Sequence, residues 1–451
     1  MRSEWPRSQI GELVANGAAL LQTGPFGSQL HKHDYVQRGI PVIPTEAIGR
    51  GAIRTDISLP QVTEVKAMEL SRHKLKRGDI LFARRGAQAT GLSAVVGHEH
   101  EGALCGTGAI LLRVDHDVID PFFLAAVLAT DDAYDWLRAH AVGAVMPNLN
   151  TGIISQFVVP VPELSDQREV AATVQALVRR IESLRQTNAT LESIAQALFK
   201  SWFVDFDAVR AKAEGREPQG MDAATAALFP SEFEESALGL IPKGWTVVEV
   251  GQSADCVGGG TPSTKEAAYW EPAVYHWATP KDLSGLGSPV LLGTERCLSP
   301  AGLAKVSSGL LPAGTLLMSS RAPIGYLAIA QIPVAVNQGF IAIRPGGLLP
   351  PVYLYFWCQT NMDAIKQKAN GSTFMEISKA AFRPIPLALP PEEVVMRFAD
   401  VAGALFARIA EGERHRAQLA EIRDALLPRL ISGKLRLPEA KQLLEPEGAI
   451  A

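Results

Sequence analysis

The chain has 451 residues, of which 47% are hydrophobic and 20% charged, and its formal net charge is −4. A chain of this length is expected to form at least two domains, and its composition excludes a wholly disordered protein. The acidic balance counts against nucleic-acid binding by the surface as a whole, because phosphate neutralisation needs clustered Lys and Arg. No stretch approaches the roughly 20 apolar residues of a membrane span, and no apolar signal core follows Met1, so we expect a cytoplasmic protein.

The two halves of the chain resemble each other in the same order, so we predict an internal repeat. In both halves a turn precedes a short apolar run, and an arginine follows that run, at Arg84 and at Arg321. Each apolar run is expected to be a buried strand. The matching positions are Trp5 and Trp245, 75–81 and 311–317, Pro121 and Pro351, and Gly143 and Gly371.

A long helix is predicted after the first half, from about Asp166 to Phe203. Asp166 and Glu169 have the spacing of a capping box, and apolar residues follow in alternating steps of three and four. Asn188 occupies one core position of this heptad pattern. It either fixes the register of a helix pair, since a slipped pairing would bury its amide unpaired, or it faces water at a local irregularity.

A second long helix is predicted from about Glu392 to Leu430, with a less regular apolar stripe that Gly412 and Arg416 interrupt. At 1.5 Å per residue, each helix would be roughly 55–60 Å long. Neither helix can expose its stripe alone in water, so we expect the two to pack as an antiparallel pair. The segment between the halves is expected to be an irregular and partly flexible crossing, because charged residues, prolines and glycines dominate it.

Together these patterns predict a mixed α/β (α+β) fold with a pseudo-twofold internal repeat. Two similar globular domains would be separated by two long antiparallel coiled-coil helices. The predicted segments are a first domain at 1–163, a first helix at 164–206, a linker at 207–244, a second domain at 245–390, a second helix at 391–435 and a C-terminal tail at 436–451.

The chain lacks the motifs of the common enzyme classes. It has no Gly-x-Gly-x-x-Gly after a strand, no phosphate-binding loop with Gly-Lys-Ser/Thr, and no Gly-x-Ser-x-Gly turn. His31 and His33, like His98 and His100, are one residue apart without a nearby cysteine, so we expect no metal site. The cysteines lack close pairing and are expected to be ordinary reduced thiols. They are Cys105, Cys256, Cys297 and Cys358.

Two similar domains on a rigid spacer suit the recognition of a long polymer at two places. The predicted spacer is on the order of one to two turns of B-DNA, at roughly 34 Å per turn. Residues 66–85 carry seven Lys or Arg residues against two acidic residues. This segment is either a solvated loop or part of a phosphate-binding surface.

The residues at the ends of the two long helices resemble the specificity subunits of Type I restriction-modification systems. Residues 197–207 (ALFKSWFVDFD) and 426–435 (LLPRLISGKL) are highly characteristic of that family. Further segments similar to the family are 39–43, 78–86, 229–245, 260–263, 320–325 and 336–340. The resemblance covers nearly the whole chain, although the first domain lacks the longer entry that precedes Trp245.

The resemblance implies a non-catalytic subunit that reads a split double-stranded DNA target. Two modification (methyltransferase) subunits would dock on its long helices and use S-adenosylmethionine to methylate adenine. Restriction subunits would use ATP and Mg²⁺ for translocation and cleavage, and this chain would need no cofactor. Three alternatives stay open. They are a specificity subunit of a methylation-only system, a coiled-coil scaffold that binds proteins, and a self-sufficient nuclease or methyltransferase.

Ten residues are predicted to contact DNA from their type and position, with Arg84, Arg85 and Arg321 on phosphate or guanine. Structural salt bridges compete for the arginines, and bracing of a turn competes for Asn337 and Gln338. Thr261 and Ser263 lie beside glycines that could let the backbone approach phosphate. The ten are Lys32, Lys76, Arg84, Arg85, Thr261, Ser263, Lys281, Arg321, Asn337 and Gln338.

Five apolar residues near the helix ends are predicted to form a partner interface. Because they continue the apolar stripes, they could equally belong to the core of the chain. They are Leu198, Trp202, Phe203, Leu426 and Leu430.

Overall fold

The computed structural model describes residues 5–54, 57–86, 89–143, 146–321, 323–371 and 375–435. The chain forms two compact units, Met1–Ile181 with Gln418–Ala451, and Glu182–Ala417. The predicted tail at 436–451 and the first four residues of the predicted first domain lie outside the described residues. In the described part of the chain, no helix combines the length and apolar character that crossing a membrane requires.

The first unit combines short strands with short helices and the start of a long helix. Its strands are β1 (Arg7–Gln9), β2 (Ala19–Thr23), β3 (Tyr35–Val36), β4 (Ile40–Ile43), β5 (Gly51–Ala52), β6 (Gln61–Val62), β7 (Ile80–Ala83), β8 (Ser93–Val95), β9 (Leu104–Cys105), β10 (Ala109–Val114) and β11 (Val158–Pro160). Its helices are α1 (Ile10–Ala15), α2 (Glu64–Glu69), α3 (Pro121–Leu128), α4 (Asp131–His140), α5 (Thr151–Ser155) and the start of α6 (Leu164–Phe203).

The second unit has a similar series of elements. Its strands are β12 (Phe233–Ser236), β13 (Gly239–Pro242), β14 (Thr246–Glu249), β15 (Asp255–Val257), β16 (Tyr275–Ala278), β17 (Val290–Leu291), β18 (Arg296–Leu298), β19 (Leu316–Ser319), β20 (Leu327–Ala330), β21 (Ala335–Val336), β22 (Phe340–Arg344) and β23 (Pro386–Leu389). Its further helices are α7 (Asp207–Ala213), α8 (Ala223–Ala227), α9 (Val250–Ser253), α10 (Pro280–Ser284), α11 (Pro300–Leu303), α12 (Pro351–Thr360), α13 (Met362–Gln367), α14 (Lys379–Phe382) and α15 (Glu392–Ile431), which ends in the first unit.

The same five-stranded sheet occurs in both units. Its strand order is β2-β10-β7-β8-β5 in the first unit and β15-β22-β19-β20-β17 in the second. Every neighbouring pair is antiparallel except the last, β5–β8 or β17–β20, which is parallel. An antiparallel pair, β1–β11 or β14–β23, joins the start and end of each half. This agreement confirms the predicted mixed fold with an internal repeat.

The predicted turn and buried strand are present in both halves. β7 and β19 are buried along their whole length, because each is the middle strand of its sheet. Gly78 and Gly314 precede these strands with φ of +92° and +88°, a backbone conformation that favours glycine. At Gly78 a Cβ would also lie 2.9 Å from Cγ of Pro121. The turn therefore depends on glycine in both halves.

The first long helix begins at the start of the predicted segment 164–206, two residues before the predicted cap at Asp166. α6 starts at Leu164, so Asp166 lies inside its first turn and the predicted capping box is wrong. The buried side chain of Gln167 accepts a hydrogen bond from the backbone N–H of Asp120 and donates one to the carbonyl of Pro162. The contact with Asp120 anchors the first turn of α6 to a segment 47 residues earlier in the chain. A local sequence pattern does not reveal such a contact.

The two long helices run antiparallel where they meet in the second unit. Asn188 contacts Glu413, and Phe199, further along α6, contacts Phe398, which comes earlier in α15. Both helices are 40 residues long, close to the predicted lengths. The predicted antiparallel pairing is therefore confirmed.

The buried side chain of Asn188 packs directly against Gly412, which has no Cβ in its way. The Asn188 side chain is 4% exposed, and its Nδ2 donates to Oε1 of Glu413 at 2.8 Å. A Cβ at residue 412 would lie only 2.4 Å from Oδ1 of Asn188. Glu413 is also buried and pairs with Arg416 at 2.6 Å. The alternative that Asn188 faces water is wrong, and α15 continues without a break through Gly412.

The predicted irregular linker is more ordered than expected. It contains the helices α7 and α8 and the hairpin of β12 and β13. Lys212 donates from Nζ to the carbonyl of Phe229, and Asp222 pairs with Arg397 at 2.8 Å. One of these contacts lies within the linker and the other joins it to α15, and neither follows from the composition of the linker.

Candidate nucleic-acid interface

In the second unit, a polar surface forms where the end of β19 meets the turn before β22. The backbone N–H of Ser320, directly after β19, donates to the carbonyl of Gly339 at 2.8 Å. Gln338 is exposed in that turn, and its Oε1 accepts a hydrogen bond from the hydroxyl of Thr261. Arg321 follows Ser320. The structure therefore brings Thr261, Arg321 and Gln338 to one junction.

Asn337 braces the turn before β22. Its Oδ1 accepts a hydrogen bond from the backbone N–H of Gly339 at 2.8 Å. Of the two interpretations of Asn337, the geometry favours the bracing of a turn, because this hydrogen bond closes the turn itself and the side chain is only partly exposed.

Lys281 follows Pro280, whose ring is 3.0 Å from the position of a Cβ on Gly339. Its Nζ pairs with Oε2 of Glu295 at 2.7 Å, and both side chains are largely exposed. The hydrogen bond with Glu295 raises the pKa of Lys281, so the side chain stays charged. An exposed pair of this kind contributes little to stability, and Lys281 remains available to a phosphate.

Of the glycines at 258–260, Gly259 packs tightly against protein backbone. A Cβ on Gly259 would lie 1.7 Å from the carbonyl oxygen of Val336. Two indole N–H groups then hold the segment, from Trp277 to the carbonyl of Gly260 at 3.1 Å and from Trp270 to the carbonyl of Ser263 at 3.0 Å. Residue 259 therefore has to be glycine because a neighbouring strand packs against it. This packing accounts for the glycine without an approach of the backbone to phosphate.

The stack between Trp270 and Arg296 was not predicted. The guanidinium carbon of Arg296 lies 3.6 Å from the centre of the Trp270 ring, an arrangement that holds the charge in place. Arg296 is opposite Trp277 in the β16–β18 pair. No sequence motif marks Arg296, because its neighbours follow from the pairing of strands.

In the first unit, the corresponding junction lies between the end of β7 and the turn before β10. The backbone N–H of Arg84 donates to the carbonyl of Gly108 at 3.0 Å, and its Nε donates to Oδ1 of Asn148 at 3.0 Å. Arg85 is exposed and its backbone forms a bridge with Asn148. Among the described residues, Arg85 has no carboxylate partner. Asn148 was not among the predicted residues, although it holds Arg84.

The strand registers correct one predicted correspondence between the halves. Arg85 forms a backbone bridge with Asn148, and Arg321 forms the same bridge with Glu376. Arg321 therefore corresponds to Arg85 rather than to Arg84. Nη1 of Arg321 is 3.7 Å from Oε2 of Glu376, and both side chains are more than a third exposed. The competing salt bridge is present but solvated, so it leaves Arg321 accessible to DNA.

The structure does not bring all predicted contacts of the first unit together. Lys76 precedes β7 and Arg84 follows it, so the length of a four-residue strand, about 13 Å, separates their backbones. Lys32 lies in a short turn beside Asp34, whose carboxylate is 3.6 Å from Nζ of Lys66. The segment 66–85 therefore places Lys76 and Arg84 at opposite ends of β7, and its Lys66 already has an acidic partner.

The His31–His33 pair does have a carboxylate beside it. Its ligand atoms and those of Asp34 lie within 4.8 Å of one another. A hydrogen bond from the backbone N–H of His31 lowers the pKa of Asp34, and Lys66 lowers it further. The existing cation beside Asp34 favours an ion-pair cluster over a metal site.

The five residues predicted as a partner interface pack mostly inside the chain. Trp202 is 4% exposed and meets Phe229, and Phe203 meets Tyr353 with ring centres 4.8 Å apart. Leu426 and Leu430 are buried, and Leu198 is partly buried against the core of the second unit. These side chains offer little surface to another protein.

Comparison with known proteins identifies the family. The model of the Type I restriction modification DNA specificity domain matches residues 4–193 and 242–403, which are most of the chain. The chain belongs to this family. It is a specificity subunit, the component that recognises DNA targets in Type I systems and has no catalytic role. The predicted resemblance and the prediction of a non-catalytic recognition protein are confirmed.

Individual relatives agree with the family assignment. The Type I restriction enzyme HindI specificity subunit of Haemophilus influenzae is 26% identical over 419 residues, which span 83% of this chain and 90% of the relative. The MjaIX specificity subunit of Methanocaldococcus jannaschii is 34% identical over 195 residues, which span 43% of this chain and 45% of the relative. The crystal structure of the Type I S subunit from M. genitalium covers 95% of this chain and 96% of its own, with a TM-score of 0.58 and 14% identity. That structure shares the fold.

Proposed function

We propose that this specificity subunit reads a split DNA target, with one short half-site for each of its two repeated domains. The observation that carries the proposal is the junction between a strand end and a turn, which has the same backbone hydrogen bonds in both units. The side chains at the two junctions differ. Two copies of one scaffold with different side chains are suited to reading two different sequences.

Local chemistry supports DNA binding despite the acidic net charge. Each junction carries an exposed or half-exposed arginine, Arg85 or Arg321, beside amide or hydroxyl side chains. Arginine is suited to phosphate oxygens and to guanine edges, and amides are suited to adenine edges. A few positive groups at each junction can position the duplex without a basic protein overall.

The catalytic steps are proposed to reside in partner subunits. Two modification subunits would bind S-adenosylmethionine and methylate adenine after flipping it from the duplex. Restriction subunits would bind ATP and Mg²⁺, and all of these proteins would meet DNA in the cytoplasm. Because the apolar stripes of α6 and α15 are largely buried, we expect the modification subunits to dock on their exposed polar faces.

The direct test is to co-express the chain with the modification subunit encoded beside it and to map adenine methylation on a plasmid by single-molecule sequencing. We expect methylation confined to one motif, in which two short blocks flank a fixed gap. The modification subunit alone is the control and should give no such motif. A stable complex without motif-specific methylation would overturn the proposal and favour the protein scaffold.

Two further experiments examine the parts of the proposal separately. Exchange of one repeated domain for that of another specificity subunit should change one block of the motif and leave the other intact; a change in both blocks would contradict the two-reader model. Addition of a restriction subunit encoded in the same region should produce ATP-dependent cleavage of unmethylated plasmid. Methylation without such cleavage would instead indicate a methylation-only system.

A further inference from the structure

We propose that the two domains read bases from different positions of the same scaffold: Arg84 contacts a base edge in the first domain, Gln338 contacts one in the second, and Arg85 and Arg321 hold the phosphate backbone in both. This inference rests on the proposed function. It assigns separate roles to residues that the family relationship does not distinguish.

The equivalence of the two junctions follows from backbone pairing. Ala83 is opposite Ala109 in the first unit, and Ser319 is opposite Phe340 in the second. The next residue of each strand, Arg84 or Ser320, donates its backbone N–H to the glycine before the paired strand. Its carbonyl accepts from Leu149 in the first unit and from Ile377 in the second. The equivalent pairs are Arg84 and Ser320, Arg85 and Arg321, Thr107 and Gln338, Gly108 and Gly339, and Asn148 and Glu376.

Arginine is present at the second position after the strand in both domains. Arg85 and Arg321 have the same backbone bridge and both reach solvent, although their partners in the bridge differ. A side chain shared by two readers of different sequences carries no information about the difference between those sequences. A contact with the phosphate backbone, which is the same at every base pair, fits this shared position.

The first position after the strand differs in its reach. Arg84 is half-buried, and Asn148 holds its Nε, so the two Nη groups keep a fixed direction. Ser320 is 3% exposed and has a short side chain. Only the first domain can therefore present a long polar group from this position.

The turn position shows the opposite difference. Gln338 is exposed, and the hydroxyl of Thr261 holds its Oε1 through one of the two lone pairs of that oxygen. The second lone pair of Oε1 can still accept a hydrogen bond, and the amide N–H₂ can donate one. The equivalent Thr107 has a buried Oγ1 that finds no partner in the described part of the chain. Only the second domain can present a long polar group from the turn.

The two groups have different preferred bases. The paired Nη groups of an arginine match O6 and N7 of guanine, whereas a glutamine amide matches N6 and N7 of adenine. We therefore expect a guanine contacted by Arg84 in the first half-site and an adenine contacted by Gln338 in the second. Each contact is expected to discriminate its base about tenfold to a hundredfold.

The sharpest test places the same conservative substitution at two neighbouring residues. Arg84→Lys keeps the positive charge but loses the planar pair of donors, so the first block should lose its guanine preference by about tenfold or more. Arg85→Lys should leave both blocks of the motif unchanged. Arg85→Ala should weaken DNA binding at all sequences and lower the slope of log affinity against log salt by about one.

The second domain offers matched controls. Gln338→Ala should relax one adenine of the second block and leave the first block intact. Ser320→Ala, at the position equivalent to Arg84, should change neither block, and Thr107→Ala, at the position equivalent to Gln338, should also change neither. Each variant is assayed in complex with the modification subunit, by methylation mapping and by salt-controlled DNA binding, after gel filtration has verified assembly.

The outcomes separate this inference from the proposed function. Wild-type complex without a split motif contradicts the proposed function itself. If the wild-type complex methylates a split motif but Arg84→Lys preserves every base of it, Arg84 acts only through its charge and the inference is overturned. A relaxed motif with Arg85→Lys, or with Thr107→Ala, would overturn it equally.

Discussion

Alanine is expected to stabilise α15 at Gly403 and to destabilise it at Gly412, because only Gly412 packs against Asn188. Alanine in place of glycine normally stabilises a helix by about 1 kcal/mol, because alanine loses less backbone freedom on folding. Gly403 provides this baseline, since among the described residues no atom beyond the adjacent turns of its own helix lies within 4 Å of a Cβ at that position. We expect Gly403→Ala to raise the free energy of unfolding by about 1 kcal/mol.

Gly412→Ala should have the opposite effect. Its Cβ would lie 2.4 Å from Oδ1 of Asn188, so the amide has to move and lose its 2.8 Å hydrogen bond to Glu413. Buried groups left unpaired cost about 1–3 kcal/mol. Crowding of the helix pair costs about 1–3 kcal/mol more. After subtraction of the propensity gain, the net loss is about 1–5 kcal/mol.

Urea unfolding of the full chain, followed by far-ultraviolet circular dichroism, measures both variants under the same conditions. The double variant Asn188→Ala/Gly412→Ala removes the crowded amide and should recover part of the loss. Stabilisation by Gly412→Ala equal to that by Gly403→Ala would refute the close packing of Asn188 on α15.

Three further predictions concern single side chains. Tyr355→Phe removes the hydroxyl that donates to Oε1 of Glu192 at 2.7 Å, and urea unfolding should show a loss of about 1–3 kcal/mol. Gly78→Ala places a Cβ at a φ of +92°, and thermal unfolding should show destabilisation of about 1–3 kcal/mol. Burial raises the pKa of Cys105 from 9.0 to about 12, so its neutral thiol contributes stability that is fully present below pH 9 and is lost as pH rises towards 12. A thiol reagent at pH 8 should therefore label Cys297, which is only partly buried, before Cys105, and Cys297→Ser should abolish the fast phase. Equal labelling rates for the two cysteines would contradict the burial of Cys105. Unchanged unfolding of Tyr355→Phe would contradict the hydrogen bond to Glu192, and unchanged unfolding of Gly78→Ala would contradict the need for glycine in that turn.

The candidate interface was only partly predictable. Residue type and position singled out Arg84, Arg85 and Gln338, because long polar side chains after a strand or in a turn are accessible. The roles of Asn148 and Arg296 were not predictable in the same way. Asn148 meets Arg84 across 64 residues, and Arg296 meets Trp270 through the side-by-side pairing of strands.

The sequence by itself determined the two 40-residue helices, the repeat and the family, because helix periodicity, turn glycines and repeated segments depend on residues close together in the chain. The offset between the matching segments 75–81 and 311–317, carried four residues further, already pairs Arg85 with Arg321. Only the tertiary structure decided that the residue before each arginine, Arg84 or Ser320, donates to the glycine of the facing turn, because strand register is set by distant backbone hydrogen bonds. The same distinction explains Asn188: the heptad pattern placed it in a core position, but its partner Glu413 and the glycine that makes room for it follow from the register of the helix pair.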